Sequence, residues 1–375
     1  MTMSRALFAG LCTLDLVQSV ERMPSPNEKI TALAQVVAAG GPATNAAVAF
    51  SHLGGEATLL SAVGAHPLVT GIDADLAEYG VRRVDATPAA TEPPAVSTIM
   101  VTRGSGDRAV VSVNAAHQRA EPPSDLASLV AASQAVHLDG HHPRLALAAA
   151  RAAREQGRLT VLDAGSWKSG TAELLPYIDV AVASAEFHPP GTRTPEEALA
   201  HLHAAGVPWT AVTRGPAPVL WRGPRRDDGP DVVRTVSPRT PTAGRATAEA
   251  PPFLGDDHVA SPPKSREDPS MPGETRVSAP GDLGVSAPGG TGVSAPGGTG
   301  MRPVPRVDVV DTLGAGDVLH GALTFALCRA MPADGGPAGF AGRLDAGAFI
   351  AALDFAIAIA SRACRSFGTR SWTRP

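Results

Sequence analysis

The sequence DTLGAGD at residues 311–317 is the strongest chemical signal in the chain. An apolar run at 307–310 precedes it and another at 318–327 follows it, which predicts a strand, a glycine-rich turn and a helix. The first turn of a helix presents backbone N–H groups that lack intrahelical partners, and these groups bind anions. Asp317 falls in that turn, where a carboxylate beside a phosphate is useful if it accepts a proton from an attacking hydroxyl. The alternative is an ordinary acid favoured by the helix dipole.

A second glycine-rich turn, GGPATN at 40–45, also precedes a predicted helix. It lacks the GxGxxG pattern of dinucleotide sites, and the chain contains no GK[ST] sequence, which excludes a P-loop. Asn45 can donate to and accept from vicinal hydroxyls, or it can merely satisfy local backbone groups. Asp15 follows the first predicted strand, at the end of a sheet where α/β proteins bind ligands. It is either a ligand for sugar hydroxyls or a loop acid.

Lys168 and the segment HLDGHH at 137–142 are weaker signals. Lys168 lies just past a predicted strand that ends at Asp163. It either neutralises phosphates as a point charge or is a solvated loop lysine. The histidines would permit a metal site. Consecutive histidines share no helix face, however, so the pattern favours a strand-end loop near a substrate cleft.

Short apolar strands alternate with helical segments along most of the chain. The predicted strands are 5–12, 57–63, 135–138, 159–163, 180–183 and 209–213, and the predicted helices are 43–53, 145–156 and 195–205. This alternation is typical of βαβ units and predicts an α/β domain with a parallel sheet. Residues 14–37 and 95–113 instead have the pattern of antiparallel hairpins, which predicts a second, smaller sheet.

Residues 224–302 interrupt this alternation. They contain three tandem octapeptides, VSAPGDLG, VSAPGGTG and VSAPGGTG, and 13 of the 30 residues from 271 to 300 are Gly or Pro. The octapeptides offer as large apolar residues only one valine each, and one leucine in the first, so the repeats cannot form a core. We predict a low-complexity, disordered insertion in a surface loop, where added length costs little.

Composition excludes several classes of protein. The net charge is −4 and no run of Lys and Arg stands out, which argues against nucleic-acid and anionic-membrane partners. The three cysteines are widely spaced and have no metal-binding pattern, which favours buried thiols in a reducing compartment. No apolar run approaches the roughly 18 residues that span a bilayer. We therefore expect a cytoplasmic protein without membrane spans.

These motifs, in this order, resemble the ribokinase-like carbohydrate kinases, the PfkB family. The resemblance covers the chain outside the insertion, that is 1–223 and 303–375, and includes SHLGGEATLLSAVG at 51–64 and the TRG turn at 213–215. It implies a three-layer α/β/α fold with a mostly parallel central sheet. The two hairpins would form a small β-sheet lid, which often mediates homodimerisation in this family. The implied reaction is phosphorylation of a sugar hydroxyl by ATP with Mg²⁺.

The resemblance also implies roles for individual residues. Asp317 is the catalytic base, and the amides of residues Gly314, Ala315 and Gly316 form an anion hole for the phosphoryl group. The sugar site is lined by Asp15, Gly41 and Asn45. The nucleotide side contains Thr213, Gly215, Thr312 and Lys168, and Glu186 contacts the magnesium through water.

The nucleotide side departs from the family pattern in two places. The family's NxxE segment, which organises the magnesium–phosphate water shell, is ASAEF at 183–187 here. Ser184 replaces its Asn, and Glu186 stands one position early. The TxGxxG turn ends in Pro218. Near the base, His320 occupies a position that is usually apolar.

Within the family, the run from Leu14 to Asn45 looks most like the ketohexokinase-like branch, whose substrates are hexoses. Pro42 stands where that branch has a sugar-binding Asn, which puts fructose in question. Two alternatives stay open: a nucleoside kinase of the same fold, and a non-catalytic sugar- or nucleotide-binding regulator, which the altered ASAEF segment would suit. A dinucleotide oxidoreductase is disfavoured because its fingerprint is missing.

Overall fold

The computed structural model describes residues 3–114, 118–224, 298–331 and 344–374, which belong to one structural unit. Its strands in chain order are β1 (Arg5–Ala9), β2 (Thr13–Val20), β3 (Ala34–Gly40), β4 (Glu56–Ser61), β5 (Arg82–Asp85), β6 (Val96–Thr102), β7 (Arg108–Ser112), β8 (Ala135–Leu138), β9 (Leu159–Ala164), β10 (Val180–Ala183), β11 (Trp209–Arg214), β12 (Ala217–Arg222) and β13 (Thr299–Arg302). Its α-helices are α1 (Pro42–His52), α2 (Val69–Glu78), α3 (Leu126–Ala131), α4 (Pro143–Glu155), α5 (Thr171–Leu174), α6 (Pro195–Ala204), α7 (Ala315–Ala330) and α8 (Ala346–Ala363). Short 3₁₀ helices cover Leu175–Tyr177 and Ser371–Thr373.

The large sheet has the strand order β13-β12-β11-β10-β9-β8-β1-β4-β5. The run from β11 to β5 is parallel, whereas β12 and β13 pair antiparallel at one edge. Along β1, Phe8 packs in one core cluster and its neighbour Leu7 in the other, because successive side chains of a strand point to opposite faces. Helices α1, α2, α7 and α8 supply the first cluster and α3–α6 the second. The predicted three-layer fold is confirmed.

The smaller sheet has the order β3-β2-β6-β7. Hairpins β2–β3 and β6–β7 are antiparallel, as the segments 14–37 and 95–113 predict, and β2 joins β6 in parallel. We call this sheet the lid. The two hairpins thus form one continuous four-stranded sheet.

Three sequence expectations need correction. The segment 307–310 is not a strand, because the backbone N–H groups of Val310 and Asp311 donate to the carbonyl of Cys364 rather than to a sheet. The predicted insertion 224–302 extends too far, because Thr299–Arg302 forms β13 and pairs with β12. The rest of it, 225–297, lies outside the described residues.

The third correction concerns α8. Among the described helices, α8 is long and apolar enough to cross a membrane. Its mean hydropathy is 1.6, and 44% of its length is buried inside the protein. The expectation that no apolar run reaches this length is therefore wrong. Phe349, Leu353 and Ile357 lie in the core cluster beside the large sheet, and Asp354 accepts a hydrogen bond from Arg302 at 2.6 Å. In this fold α8 is a core helix.

Candidate active site

Asp317 lies in the first turn of α7, as the sequence predicts. The helix begins after Gly314, whose φ of 72° is in the left-handed region that favours glycine. A Cβ on Gly314 would also lie 3.0 Å from the Cγ2 of Thr369. The turn therefore depends on a glycine at 314 to bring Asp317 into position.

The α7 helix brings Asp317 beside α1. A Cβ on Gly321 would lie 2.3 Å from the carbonyl oxygen of Ala46, so the two helix backbones meet closely at this point. One turn before Gly321 on α7, Asp317 Oδ2 accepts from Nδ2 of Asn45, the residue before Ala46, at 2.8 Å. Two predicted site residues that are 272 positions apart are thus in direct contact.

The environment of Asp317 suits a proton acceptor. Burial, followed by the negative charge of nearby Asp163, raises the pKa of Asp317 to about 7. The hydrogen bond from Asn45 and the nearby His320 act in the opposite direction. A general base works best when its pKa is close to the working pH. The carboxyl group is therefore tuned differently from an ordinary first-turn acid.

Asn45 is 5% exposed and uses both ends of its amide within the protein. Its Nδ2 faces Asp317, and its Oδ1 accepts from Arg370 Nη1 at 2.9 Å. Arg370 also donates to Asp75 Oδ2 at 3.0 Å and to the carbonyl of Ala39 at 2.5 Å. The sequence analysis missed Arg370, because a single arginine in the segment SFGTRSW gives no local sign of contact with α1.

Asp15 and Gly41 lie at the entrance to α1. Asp15 is on β2, in the lid, rather than directly after the first strand, and it is 5% exposed. Its Oδ1 accepts from the hydroxyl of Thr13 at 2.6 Å, and burial raises its pKa while nearby Arg370 lowers it. Gly41 precedes α1, and its carbonyl accepts the N–H of Asn45 at 2.9 Å. The structure thus collects all three predicted sugar-site residues around one end of α1.

The backbone amides predicted to form the anion hole differ in whether they are already engaged within the turn. The N–H of Ala315 donates to the carbonyl of Thr312 at 3.2 Å, so it is already engaged in the turn. Gly316 is exposed, and within the described part of the chain no atom beyond its own turn lies within 4 Å of where its Cβ would be. The space in front of Gly316 can therefore accept a bulky group.

The predicted nucleotide-side residues follow neighbouring parallel strands. Lys168 comes after β9, Glu186 after β10, and Thr213 is near the end of β11, so they share the carboxyl edge of the sheet. Thr213 Oγ1 donates to the carbonyl of Ala183 at 3.3 Å, and Gly215 has a φ of 57° in the following turn. Glu186 is exposed, and Lys168 is close enough to lower the pKa of buried Asp163.

Thr312 is connected to the lid. Its Oγ1 accepts from Nη1 of Arg108, on β7, at 2.7 Å. The lid residues Ile99 and Val101 are buried together with Val17, and Leu313 packs against them. This face of the hairpin is therefore covered in part by the DTLGAGD turn of the same chain.

The HLDGHH segment forms a strand-end loop. Buried Asp139 accepts the N–H groups of Leu11 at 2.8 Å and Ala43 at 3.1 Å, so it joins the end of β1 to the start of α1. Across the described residues, no group of three or more His, Cys, Asp or Glu is arranged to hold a metal ion. The loop reading is therefore favoured over the metal site.

His320 fixes α7 to the sheet. Its Nδ1 lies 2.7 Å from the carbonyl of Gly316, and its Nε2 lies 3.1 Å from the carbonyl of Val182 on β10. Asp163 Oδ2 is 3.4 Å from Nδ1. The unusual histidine noted in the sequence thus positions the first turn of α7, which contains Asp317.

Comparison with known proteins identifies the family. The pfkB family carbohydrate kinase model matches residues 3–237, more than half of the chain. The chain belongs to the PfkB family of carbohydrate kinases. The prediction that it is a carbohydrate kinase is thereby confirmed. Among curated proteins, no sequence matches this chain.

Solved structures share the fold of this PfkB kinase. A putative ribokinase from Agrobacterium tumefaciens is 23% identical, with a TM-score of 0.66 over 99% of this chain and 94% of that one. Arabidopsis thaliana ribokinase, solved with ribose and ATP, is 17% identical, with a TM-score of 0.60 over 100% of both chains. Aminoimidazole riboside kinase from Salmonella enterica, solved with aminoimidazole riboside and an ATP analogue, is 16% identical, with a TM-score of 0.58 over 99% and 96%.

Proposed function

We propose that this PfkB kinase transfers the terminal phosphoryl group of ATP to a hydroxyl of a small sugar, with Asp317 as the general base. The observation that supports this most directly is a carboxyl group with a pKa of about 7 in the first turn of a glycine-started helix. ATP as the donor is favoured by the Arabidopsis ribokinase, which was solved with ribose and ATP. The alternative that Asp317 is an ordinary acid favoured by the helix dipole does not account for its raised pKa.

In the proposed mechanism, the two oxygens of Asp317 have different tasks. Oδ2 accepts from Asn45, which leaves Oδ1 to accept the proton of the attacking hydroxyl. The N-terminus of α7 then stabilises the negative charge of the transferring group. Among the predicted anion-hole amides of 314–316, Gly316 would contribute most, because Ala315 already donates to Thr312.

Magnesium fits this site only as an ion held largely by phosphates. Glu186 is exposed at the end of β10, where it can hold one of the waters that Mg²⁺ retains. Among the described residues, no cluster of side chains would hold the ion by itself. A Mg²⁺ ion that is held by phosphates does not require such a cluster. When bound, Mg²⁺ would neutralise phosphate charge and orient the transferring group.

The acceptor class remains a proposal within the family. The resemblance to the ketohexokinase-like branch favours a hexose, and the three acceptor-side residues Asp15, Gly41 and Asn45 are brought together around one end of α1. A nucleoside kinase is the second candidate, because the Salmonella neighbour was solved with aminoimidazole riboside. A non-catalytic regulator is the third, and the raised pKa of Asp317 argues against it.

We also propose that a second copy of the chain covers the outer face of the lid. Val37 on β3 and Val111 on β7 are 50% and 72% exposed, and the strand register places both on the lid face opposite to buried Ile99. Mass measured by light scattering would be that of a dimer, and Val111→Lys would shift it to the monomer. A monomeric wild-type protein would contradict this part.

The test of the proposed function is an ADP-release screen with ATP, with and without Mg²⁺, over ketohexoses, aldopentoses and nucleosides. Asp317→Asn keeps the shape of the side chain but removes the proton acceptor. For the acceptor that is turned over, we expect kcat to fall by ~10²–10⁴-fold, since this is what a positioned base contributes. ATP binding measured by calorimetry should persist.

Two results would contradict the proposal. Retention of more than about a tenth of the wild-type kcat by Asp317→Asn would show that another group takes the proton. Binding of a sugar or nucleotide without any ADP release across the panel would favour the regulator instead.

A further inference from the structure

Arg370 is a buried cation that contacts Asn45, the residue that donates to the proposed base Asp317. It is 5% exposed, and it follows α8, in the loop that precedes the 3₁₀ helix Ser371–Thr373. Its guanidinium is held on one side by Asp75, through Nη2 at 3.0 Å and Nε at 3.2 Å. On another side Nη1 donates to Asn45 Oδ1 at 2.9 Å. These contacts leave the guanidinium no freedom to turn away from Asn45.

The chemistry of the two groups restricts how Asn45 can be oriented. An amide side chain has an acceptor at one end and a donor at the other, and its two ends can exchange by rotation. A guanidinium has only donors. Because Arg370 faces one end of the Asn45 amide, that end must be the oxygen. The opposite end, which faces Asp317 Oδ2 at 2.8 Å, must therefore be the nitrogen.

We propose that Arg370 is a positioning residue that locks the amide of Asn45 in one orientation, so that this amide can only donate to the base Asp317. The proposal rests on the proposed role of Asp317. It assigns Asn45 a second task besides the sugar contact expected from the sequence. It also joins three segments that are distant in the chain, α1, α7 and the stretch after α8, in one hydrogen-bond network.

The lock favours one protonation state of the base. An ionised Asp317 accepts the hydrogen bond from Asn45 Nδ2. A protonated Asp317 has an O–H to donate, and a freely rotating amide would turn its oxygen to accept it. Arg370 prevents this rotation, so Asn45 can donate to Asp317 but cannot accept from it, and the donated hydrogen bond is stronger to the ionised carboxylate than to the protonated carboxyl group. Hydrogen bonding to the charged form lowers the pKa of a carboxyl group.

Other charged groups act on Asp317 independently of the lock. Asp163 at the end of β9 and Asp139 at the end of β8 raise its pKa, and His320, one turn further along α7, lowers it. These three residues keep their positions and charges in the variants below. A change that appears on altering Arg370 and disappears when Asn45 is absent can therefore be assigned to the lock.

The experiment measures the pKa of Asp317 in the free protein by ¹³C NMR of the labelled Asp carboxyls, with Asp317→Asn to assign the resonance. Arg370→Met should raise this pKa by roughly half to one unit, the effect of freeing one hydrogen bond. In an Asn45→Ala background, Arg370→Met should add nothing, because coupled residues are not additive. Arg370→Lys keeps a donor-only group and should give a smaller shift.

The controls separate positioning from packing. Asp75→Asn weakens the ion pair but keeps Arg370, and removal of a negative charge cannot raise the pKa of Asp317. Exposed Arg374, 3.8 Å from Glu78, is changed to Gln and should leave the resonance unmoved. If Arg370→Met does not fold because Asp75 is left uncompensated, the double variant Arg370→Met/Asp75→Asn replaces it.

An unchanged Asp317 pKa in folded Arg370→Met, or an equal rise in the Asn45→Ala background, would overturn the proposal. Failure of the proposed function looks different. In that case Asp317→Asn would retain activity in the ADP-release assay, whatever the NMR titrations show.

Discussion

The proposed acceptor side and the proposed nucleotide side of the site are built in different ways. On the acceptor side, Asp15, Asn45 and Arg370 are each 5% exposed. Asn45 and Arg370 hydrogen-bond to residues in other elements of the fold, and Asp15 accepts from Thr13 on its own strand. On the nucleotide side, Lys168 reaches only the carbonyl of Ser166, at 3.4 Å, and Glu186 is exposed. The acceptor side is thus fixed before any substrate binds, whereas the nucleotide side keeps its charged groups free for solvent or ligand.

This difference has an energetic meaning. A preorganised group loses little conformational entropy when the substrate binds, so its full interaction is available for orientation. An exposed charged side chain interacts weakly through solvent and must be ordered at a cost. Substitutions on the acceptor side should therefore have large effects, and those on the nucleotide side small ones.

Among the substitutions that test this comparison, Asp15→Asn should have the largest effect. A hydrogen bond between a charged group and a substrate hydroxyl contributes about 1.5–3 kcal/mol, so kcat/KM for the acceptor should fall by roughly 10–150-fold. The loss should appear mainly in KM for the sugar, because the contact exists already in the ground state. Steady-state kinetics with each substrate varied in turn would measure it. An equal rise in KM for ATP would break the assignment of Asp15 to the acceptor side.

The difference in stability between Asp317→Asn and the wild-type protein should depend on pH. In the folded protein the pKa of Asp317 is about 7, above its unfolded value of about 3.9. The folded state therefore binds the proton more tightly, and wild-type stability falls as pH rises from about 4 to about 7. The amide does not titrate, so the variant should melt higher than wild type at pH 8, by at least about 2 °C for each kcal/mol gained.

Melting curves at pH 4 and pH 8 would test this. The two proteins should melt nearly alike at pH 4, where Asp317 is protonated in the folded state and about half protonated in the unfolded state. A variant that is less stable than wild type at pH 8 would mean that the carboxylate stabilises the fold, contrary to the raised pKa.

The two glycines of the turn should respond differently to alanine. Gly314→Ala forces a Cβ into the left-handed region and towards Thr369, which should cost roughly 1–2 kcal/mol of stability. Gly316→Ala places its methyl group in open space, so its melting temperature should be unchanged while KM for ATP rises. Thermal melting and ATP titration of both variants would measure this. Normal ATP kinetics in Gly316→Ala would place the phosphoryl group elsewhere.

The smallest effect is expected from Lys168→Met. Its ammonium group is half-buried and has one weak contact, so its loss should raise KM for ATP only about two- to fivefold, the scale of an exposed ion pair. KM for the sugar should not change. A hundredfold loss would show that the nucleotide side is as tightly organised as the acceptor side.

The sequence predicted those parts of the molecule that depend on local pattern. The alternation of strands and helices predicted the parallel sheet of an α/β domain, and the two hairpins predicted the second, smaller sheet, because apolar periodicity decides which face of an element is buried. The DTLGAGD turn placed Asp317 correctly in the first turn of α7, since the glycine positions and the following apolar run are adjacent in the chain.

Non-local contacts explain what the sequence could not predict. The segment 307–310 has the composition of a strand, yet its backbone bonds to Cys364. The contact between Asn45 and Asp317, and the role of Arg370, arise from helix packing and have no signature in adjacent residues. Asp15 was singled out from its position after the first strand, but its place in the lid depends on how β2 pairs with both β3 and β6.

The 325-residue separation between Asn45 and Arg370 matters during protein synthesis. A nascent chain that has passed Asp317 already contains every residue predicted for the site. The partner of the Asn45 oxygen still has to emerge from the ribosome, after the whole of α8. The catalytic centre is therefore among the last parts of the molecule to be completed, and a product that stops after α8 would have every predicted site residue but an Asn45 that is free to rotate.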